Sequence, residues 1–253
     1  MFTKAIVRIP SMSMVYGLTT ANLGTPDYNL AIEQHEKYID ALKACGLQVI
    51  VLPPDEDHPD STFVEDTALL TTKCAIIANP GASSRKGEVY YIKNVLKQHY
   101  PMVEEIEEPG TMEPGDIMMA GEHFYIGLSE RTNKEGADQT IRILNKYGFS
   151  SSVIPLKNIL HLKTGVAYLE NNNLLAFGEL LEVEEFKNFN LIKVDAEESY
   201  SANCIWVNGK VLVPQGYPKT RDKINERGYK TIEIDVSEFR KLDGGLSCLS
   251  LRF

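Results

Sequence analysis

Leu42-Lys-Ala-Cys-Gly46 runs into Leu47-Gln-Val-Ile-Val-Leu52, and the chain repeats this join often enough to decide its fold. The first five residues close an amphipathic helix, and the glycine suits the left-handed cap that ends one. The next six are a short apolar run of strand length. Val95-Leu-Lys-Gln-His-Tyr100 leads in the same way into Met102-Val-Glu-Glu-Ile106. Ile143-Leu-Asn-Lys-Tyr-Gly148 leads into Phe149 to Ile154, and Ile224-Asn-Glu-Arg-Gly228 into Tyr229-Lys-Thr-Ile-Glu-Ile234. A degenerate fifth copy runs through Phe189-Asn-Leu-Ile-Lys-Val194 to Ser201-Ala-Asn-Cys204.

Chemically active residues fall in the loops after these strands: Asp60, Glu65 and Asp66, then Glu113, then His161, then Asp243 with Cys248. A pair of strand-like runs follows each loop. Thr67 to Thr71 precedes Cys74 to Ala78, Asp116 to Ala120 precedes Phe124 to Gly127, and Cys204 to Val207 precedes Lys210 to Val213. Ala5 to Ile9 would complete the pair begun by Leu249-Ser-Leu-Arg252. The pattern predicts a ring of ββαβ units of about 50 residues each, closed by the N-terminal strand. In such a ring every unit delivers the equivalent loop to one central axis.

A chain of 253 residues could hold one large domain or two small ones. The ring assigns all of it, 1–253, to a single domain. The formal net charge of −9 speaks against nucleic acid and anionic membranes as partners and suits a site that attracts cations. No apolar stretch has membrane-helix length, and the opening Met-Phe-Thr-Lys-Ala-Ile-Val-Arg does not read as a signal peptide. The four cysteines, Cys45, Cys74, Cys204 and Cys248, are too sparse for a disulfide scaffold, so a reducing cytoplasm is expected. There is no CxxC, HExxH, Walker or GxGxxG motif, so no metal or cofactor is expected.

Cys248 follows Gly244-Gly245 at the start of a strand-like run, and with a histidine and carboxylates it suggests nucleophilic catalysis. The acids exceed the one carboxylate that a cysteine hydrolase needs. Surplus carboxylates hold a thiol protonated, which makes sense if the substrate is itself a cation. A guanidinium would pair with them bidentately. Arg85 and Arg131 follow strand pairs in consecutive units, and arginine suits a carboxylate. Together these residues outline an amino acid held at its carboxylate and at a guanidinium, with its guanidinium carbon beside Cys248. Cys45, Cys74, Cys204 and Trp206 read as packing residues.

Several motifs carry a resemblance. They are Gly17-Leu-Thr19, Pro59-Asp-Ser-Thr-Phe-Val-Glu-Asp-Thr67, Glu113-Pro-Gly-Asp-Ile117, His161-Leu-Lys-Thr-Gly165, Asn203-Cys-Ile-Trp206 and Asp243-Gly-Gly-Leu-Ser-Cys248. In this order, and essentially end to end, the chain resembles the dimethylarginine dimethylaminohydrolases of the guanidine-modifying (pentein) superfamily. The resemblance implies a five-bladed α/β propeller. It also implies cleavage of N-methylated arginines to citrulline and a methylated amine through a covalent Cys248 thiouronium. By the same resemblance His161 is acid and base, and Glu113 completes the catalytic group. Asp66 grips guanidinium nitrogens, with Glu65 on the same rim. Asp60 holds the amino-acid end, Arg85 and Arg131 the carboxylate, and Leu18 lies in a segment, Tyr16–Gly24, like the family's mobile lid.

Two positions depart from the superfamily's usual pattern. Pro114 replaces a common glycine and restricts Glu113 to extended geometry. Lys163 stands where arginine deiminases and amidinotransferases carry an acid, which removes one guanidinium partner and fits a methylated nitrogen with fewer protons. The alternatives are an arginine or other guanidine deiminase, and a non-catalytic amino-acid-binding protein on the same scaffold.

Overall fold

The computed structural model describes all residues, 1–253. Five three-stranded sheets follow one another along the chain, forming the five-unit α/β propeller. The first contains β1 (Lys4–Arg8), β2 (Gln48–Leu52) and, from the far end of the chain, β15 (Leu251–Arg252), in the order β15-β1-β2. The second is β3 (Ala68–Leu70), β4 (Ala75–Ile77) and β5 (Val103–Glu105), and the third β6 (Ile117–Ala120), β7 (His123–Leu128) and β8 (Ser150–Pro155). The fourth is β9 (Val166–Tyr168), β10 (Asn173–Ala176) and β11 (Asn190–Lys193), and the fifth β12 (Ile205–Val207), β13 (Lys210–Pro214) and β14 (Lys230–Ile234).

In each sheet two strands pair antiparallel and the third joins parallel to the middle one. Ala5 faces Arg252 across the antiparallel pair and Val49 across the parallel one. A parallel pair needs a crossover. Helices α1 (Tyr28–Ala44), α2 (Val89–Leu96), α3 (Lys134–Lys146) and α5 (Pro218–Glu226) supply four of the five. The fourth unit, the degenerate copy in the sequence, crosses over on 3-10 turns instead, Gly178–Glu182 and Glu184–Phe186. The expected glycine caps form: Gly46, Gly148 and Gly228 have φ of +88°, +78° and +87°.

The core lies between the sheets and the outer helices. Helix α1 starts at Asp27, whose carboxylate accepts from the Leu30 amide at 3.1 Å. It buries Ala31, Tyr38, Ile39 and Leu42 at helical spacing against Val7, Phe63, Leu246 and Leu249. Burying Leu42 alone stabilises the fold by about 2 kcal/mol. Tyr38 is fully buried, and its hydroxyl donates to the Leu246 carbonyl at 2.9 Å and lies 2.7 Å from Ser250 Oγ. The first helix therefore braces the tail that carries Cys248. No helix is long and apolar enough to cross a membrane.

Before its first strand each unit makes a short helical turn at the axis. These turns are Val64–Thr67, Pro114–Asp116, α4 (Leu162–Gly165), Ala196–Ala202 and Ser247–Leu249. Neighbouring turns touch around the ring. The last two are tied by Asn203, whose amide oxygen accepts from the Ser247 N–H at 2.9 Å and whose nitrogen donates to Ser247 Oγ at 3.0 Å. This corrects the expectation for the tail. Cys248 lies in a 3-10 turn, not at the mouth of a strand, and β15 begins at Leu251 rather than Leu249. The bonds from Tyr38 and Asn203 to Leu246 and Ser247, with the Cys248 amide donating to the Gly245 carbonyl at 3.2 Å, curl the backbone before it can extend.

Candidate active site

A cavity of about 190 Å³ opens at the axis, lined by Leu18, Asp60, Asp66, Arg85, Arg131, His161 and Cys248 among others. It adjoins a wider one of about 470 Å³ that also borders His161 and Cys248 and adds Glu65, Lys163, Tyr200 and Asn203. Glu113 lies behind His161, fully buried. All nine residues singled out in the sequence thus gather around one place, delivered by separate units.

The Cys248 turn is tightly set. A Cβ on Gly244 would lie 2.2 Å from the Phe63 ring, and one on Gly245 2.5 Å from the Asn203 side chain. Only hydrogen fits at either position. Cys248 itself is half-buried, and burial with the charges of Glu65 and Asp66 pushes its thiol up to about 12. The resting nucleophile is therefore a thiol. Cys204 is fully enclosed and likewise pushed up by burial to about 12, and it packs in the core as expected.

His161 sits between two carboxylates. Its Nε2 is 3.4 Å from Glu113 Oε2 and its Nδ1 3.3 Å from Asp116 Oδ2. Burial opposes charge on the ring, but Asp116, Asp66 and Glu113 outweigh it and hold the imidazole up at about 9. Asp116 is fixed by the hydroxyls of Ser129 and Thr132, each donating at 2.7 Å, and by the Leu162 amide at 3.1 Å. Glu113 is extended, φ −114° and ψ 124°, as the following proline requires. Its Oε1 accepts from the Gly81 amide at 3.0 Å and lies 3.4 Å from Arg131 Nη1. Burial and the neighbouring charge of Asp66 raise the Glu113 carboxyl. Asp66 is buried too, but Arg85 keeps it low.

Arg85 is heavily engaged within the protein. Its Nε and Nη2 donate to Glu88 at 3.1 and 2.8 Å, its Nη1 to Asp66 at 2.7 Å, and Nη2 also to the Phe63 carbonyl at 3.0 Å. Four of its five donors are thereby committed, leaving one free. Arg131 is the freer cation. Glu88 was missed in the sequence, although its i,i+3 spacing from Arg85 was a readable signal. Glu65 is likewise engaged: Lys163 Nζ lies 2.7 Å from its Oε1 and Arg252 3.7 Å from the same oxygen. Lys163 therefore takes up a neighbouring acid as well as replacing one.

Asp60 accepts from the Leu18 amide with both oxygens, at 3.0 and 3.3 Å, and burial raises its carboxyl. Asp243, placed with Cys248 by the loop pattern, also lines the narrower cavity, as do Leu242 and Thr20, which were not singled out in the sequence. Three buried polar atoms in this cluster have no hydrogen-bond partner: Glu65 Oε2, Glu113 Oε2 and His161 Nδ1. Unsatisfied buried carboxylate oxygens are costly. Asp66, Glu113 and His161 also present one ligand atom each within 4.8 Å of one another, a spacing that could grip a small cation.

Residues 25–184 match the family model described as N,N dimethylarginine dimethylhydrolase, eukaryotic. The N(G),N(G)-dimethylarginine dimethylaminohydrolase of Pseudomonas aeruginosa is 58% identical over 254 residues, 100% of either chain. That of Streptomyces coelicolor is 32% identical over 98% of this chain and 96% of its own. A crystal structure of the Pseudomonas aeruginosa protein, a cysteine-to-serine variant complexed with citrulline, superposes with a TM-score of 0.99 over 100% of both chains. A histidine-to-glycine dimethylarginine dimethylaminohydrolase in adduct with S-methyl-L-thiocitrulline gives the same TM-score, also at 58% identity and full coverage of both. The N-terminal domain of ArgZ, a cyanobacterial arginine dihydrolase, shares the fold at 20% identity, with a TM-score of 0.89 over 98% of this chain and 97% of its own.

Proposed function

The chain belongs to the dimethylarginine dimethylaminohydrolase family, and from that premise we propose how its own residues cleave N-methylated arginines to citrulline and a methylated amine. The observation that carries the assignment of roles is the pair of buried carboxylates, Glu65 and Asp66, whose charge acts on the half-buried thiol in a cavity shared with His161. A guanidinium supplies N–H groups to these acids and positive charge beside the thiol.

Asp66 and Glu65 face the guanidinium, and Glu113 holds His161 from behind. Arg131, with the one spare donor of Arg85, takes the substrate carboxylate, and Asp60 and Leu18 lie toward the amino-acid end. At neutral pH Cys248 rests as a thiol and His161 as an imidazolium, since their pKa values stand at about 12 and about 9. The arriving cation offsets the acids that hold the thiol protonated, and the proton leaves to solvent. Cys248 Sγ then bonds to the guanidinium carbon. His161 gives its proton to the departing amine nitrogen as the C–N bond breaks, leaving a thiouronium. The neutral imidazole, held by Glu113 and Asp116, takes a proton from water, whose oxygen attacks the same carbon. The C–S bond breaks, the remaining hydroxyl proton passes from the forming urea to the departing thiolate, and citrulline leaves.

The test is product analysis with asymmetric dimethylarginine, monomethylarginine and arginine as separate substrates. Citrulline with dimethylamine or methylamine is expected, together with a mass-detected adduct on Cys248 that disappears in Cys248→Ser. Faster release of ammonia from arginine would favour a deiminase. Full activity in Cys248→Ser would overturn the covalent route, and no turnover of any guanidine would favour a binding protein.

A further inference from the structure

We propose that Asp243 is a positioning residue that latches the Tyr16–Gly24 segment over the active site; this rests on the reading of the site given above. Tyr16 to Thr25 contains no buried residue, so apolar packing does not hold it down. Its ties to the body of the protein are hydrogen bonds. The Leu18 amide donates to Asp60, and Thr19 Oγ1 donates to the Lys241 carbonyl at 2.8 Å. Thr20 donates twice to one oxygen of Asp243, from its amide at 2.5 Å and from its hydroxyl at 3.0 Å, and Lys241 Nζ donates to the Thr25 carbonyl at 3.4 Å.

Three of these four anchors lie in the turn that leads to Cys248. Asp243 adopts φ +58°, a left-handed backbone that aspartate tolerates better than most residues. That turn is the one the Gly244 and Gly245 contacts hold rigid. Thr20 and Asp243 both border the narrow and the wide cavity beside Cys248 and His161. Releasing Thr20 from Asp243 therefore loosens the segment on the side of the site that carries the nucleophile, where only the Lys241 ties then remain, while Asp60 keeps the other side hinged. A charged acceptor serving two donors is the strongest of these ties.

The experiment follows hydrogen exchange of residues 16–25 and the rate at which iodoacetamide alkylates Cys248, both without substrate. Asp243→Gly keeps the backbone angle and deletes the carboxylate. Asp243→Asn keeps a neutral acceptor. Thr20→Val removes one bond without changing any charge, so faster alkylation in it reports access rather than a shifted thiol. Asp243→Gly should speed exchange and alkylation about tenfold, with Asp243→Asn and Thr20→Val intermediate. Thr20→Val should add less in the Asp243→Gly background than alone, since the bond is already gone. In turnover, KM should rise more than kcat falls. Exchange and alkylation unchanged in all three variants, with KM alone raised in the Asp243 variants, would make Asp243 a direct substrate contact and overturn the latch. Fully additive effects would overturn it too. Neither readout needs turnover, so failure of the latch is separable from failure of the proposed reaction.

Discussion

Replacing Asp116 by asparagine should flatten the fall in stability that the protein undergoes between pH 6.5 and 9. His161 has a folded pKa of about 9 against 6.5 for a free imidazole. The folded state therefore binds this proton more tightly than the unfolded chain does. The resulting stabilisation is complete below 6.5 and is lost as pH rises through 9. A difference of about 2.5 units at 1.36 kcal/mol each gives a loss of about 3 kcal/mol. His35 and Cys248 act outside this window. Burial depresses His35 to about 4, so its contribution is lost as pH falls below 6.5, and the raised Cys248 thiol matters only above its ordinary value of 9.0. Burial alone would lower His161, and Asp116 is the foremost of the acids that overcome it. Removing one opposite charge at 3.3 Å should take away about 2 units and leave a loss below about 1 kcal/mol. Asparagine will also lower stability at every pH, because Ser129, Thr132 and the Leu162 amide lose a charged acceptor. The slope is therefore the readout. Urea unfolding at several pH values from 6.5 to 9, with NMR titration of the labelled imidazole, measures it. A flat wild-type profile, an equal slope in the variant, or a His161 midpoint below 7 would refute the reasoning.

Gly244→Ala forces a methyl to 2.2 Å from Phe63 and should cost about 2 kcal/mol or more, lowering Tm by about 5 °C with loss of turnover; calorimetry and a citrulline assay check both. Arg131→Lys keeps the charge but loses the planar fork, and steady-state kinetics should show KM raised about tenfold with kcat changed much less. Lys163→Met releases Glu65 toward the guanidinium, and turnover of arginine relative to dimethylarginine should rise about tenfold, with stability lowered by about 3 kcal/mol because a buried carboxylate keeps only Arg252. Dialysis against a chelator should leave turnover unchanged; activity lost and then restored by a divalent ion would contradict a cofactor-free reaction.

The ring was legible because its marks are local. A glycine at a helix end and a strand-length apolar run behind it are read within about ten residues. The copies at Gly46, Gly148 and Gly228 cap their helices as read, and the pairing of β1 with β15 followed from the one unit left incomplete. What the sequence hid are partnerships between distant side chains. Lys163 meets Glu65 from 98 positions away and Thr20 meets Asp243 from 223. Arg85 looked like a carboxylate binder because nothing in its immediate sequence says that Asp66 and the Phe63 carbonyl, 19 and 22 positions earlier, will close on it. The tail looked like a strand because its apolar residues alternate. The hydrogen bonds that curl it come from Tyr38 and Asn203, on other elements.

The union of β1 with β15 gives the ring a seam. Every other unit of the propeller is covalently continuous within its own sheet, whereas this one is stitched from the two ends of the chain, with the amides of Thr3 and Lys4 donating to the Phe253 carbonyl at 2.8 Å. Cys248 lies just inside that stitching. A partial parting of the seam would loosen the nucleophile while the other four sheets stay intact, so the enzyme can fall silent well before it unfolds.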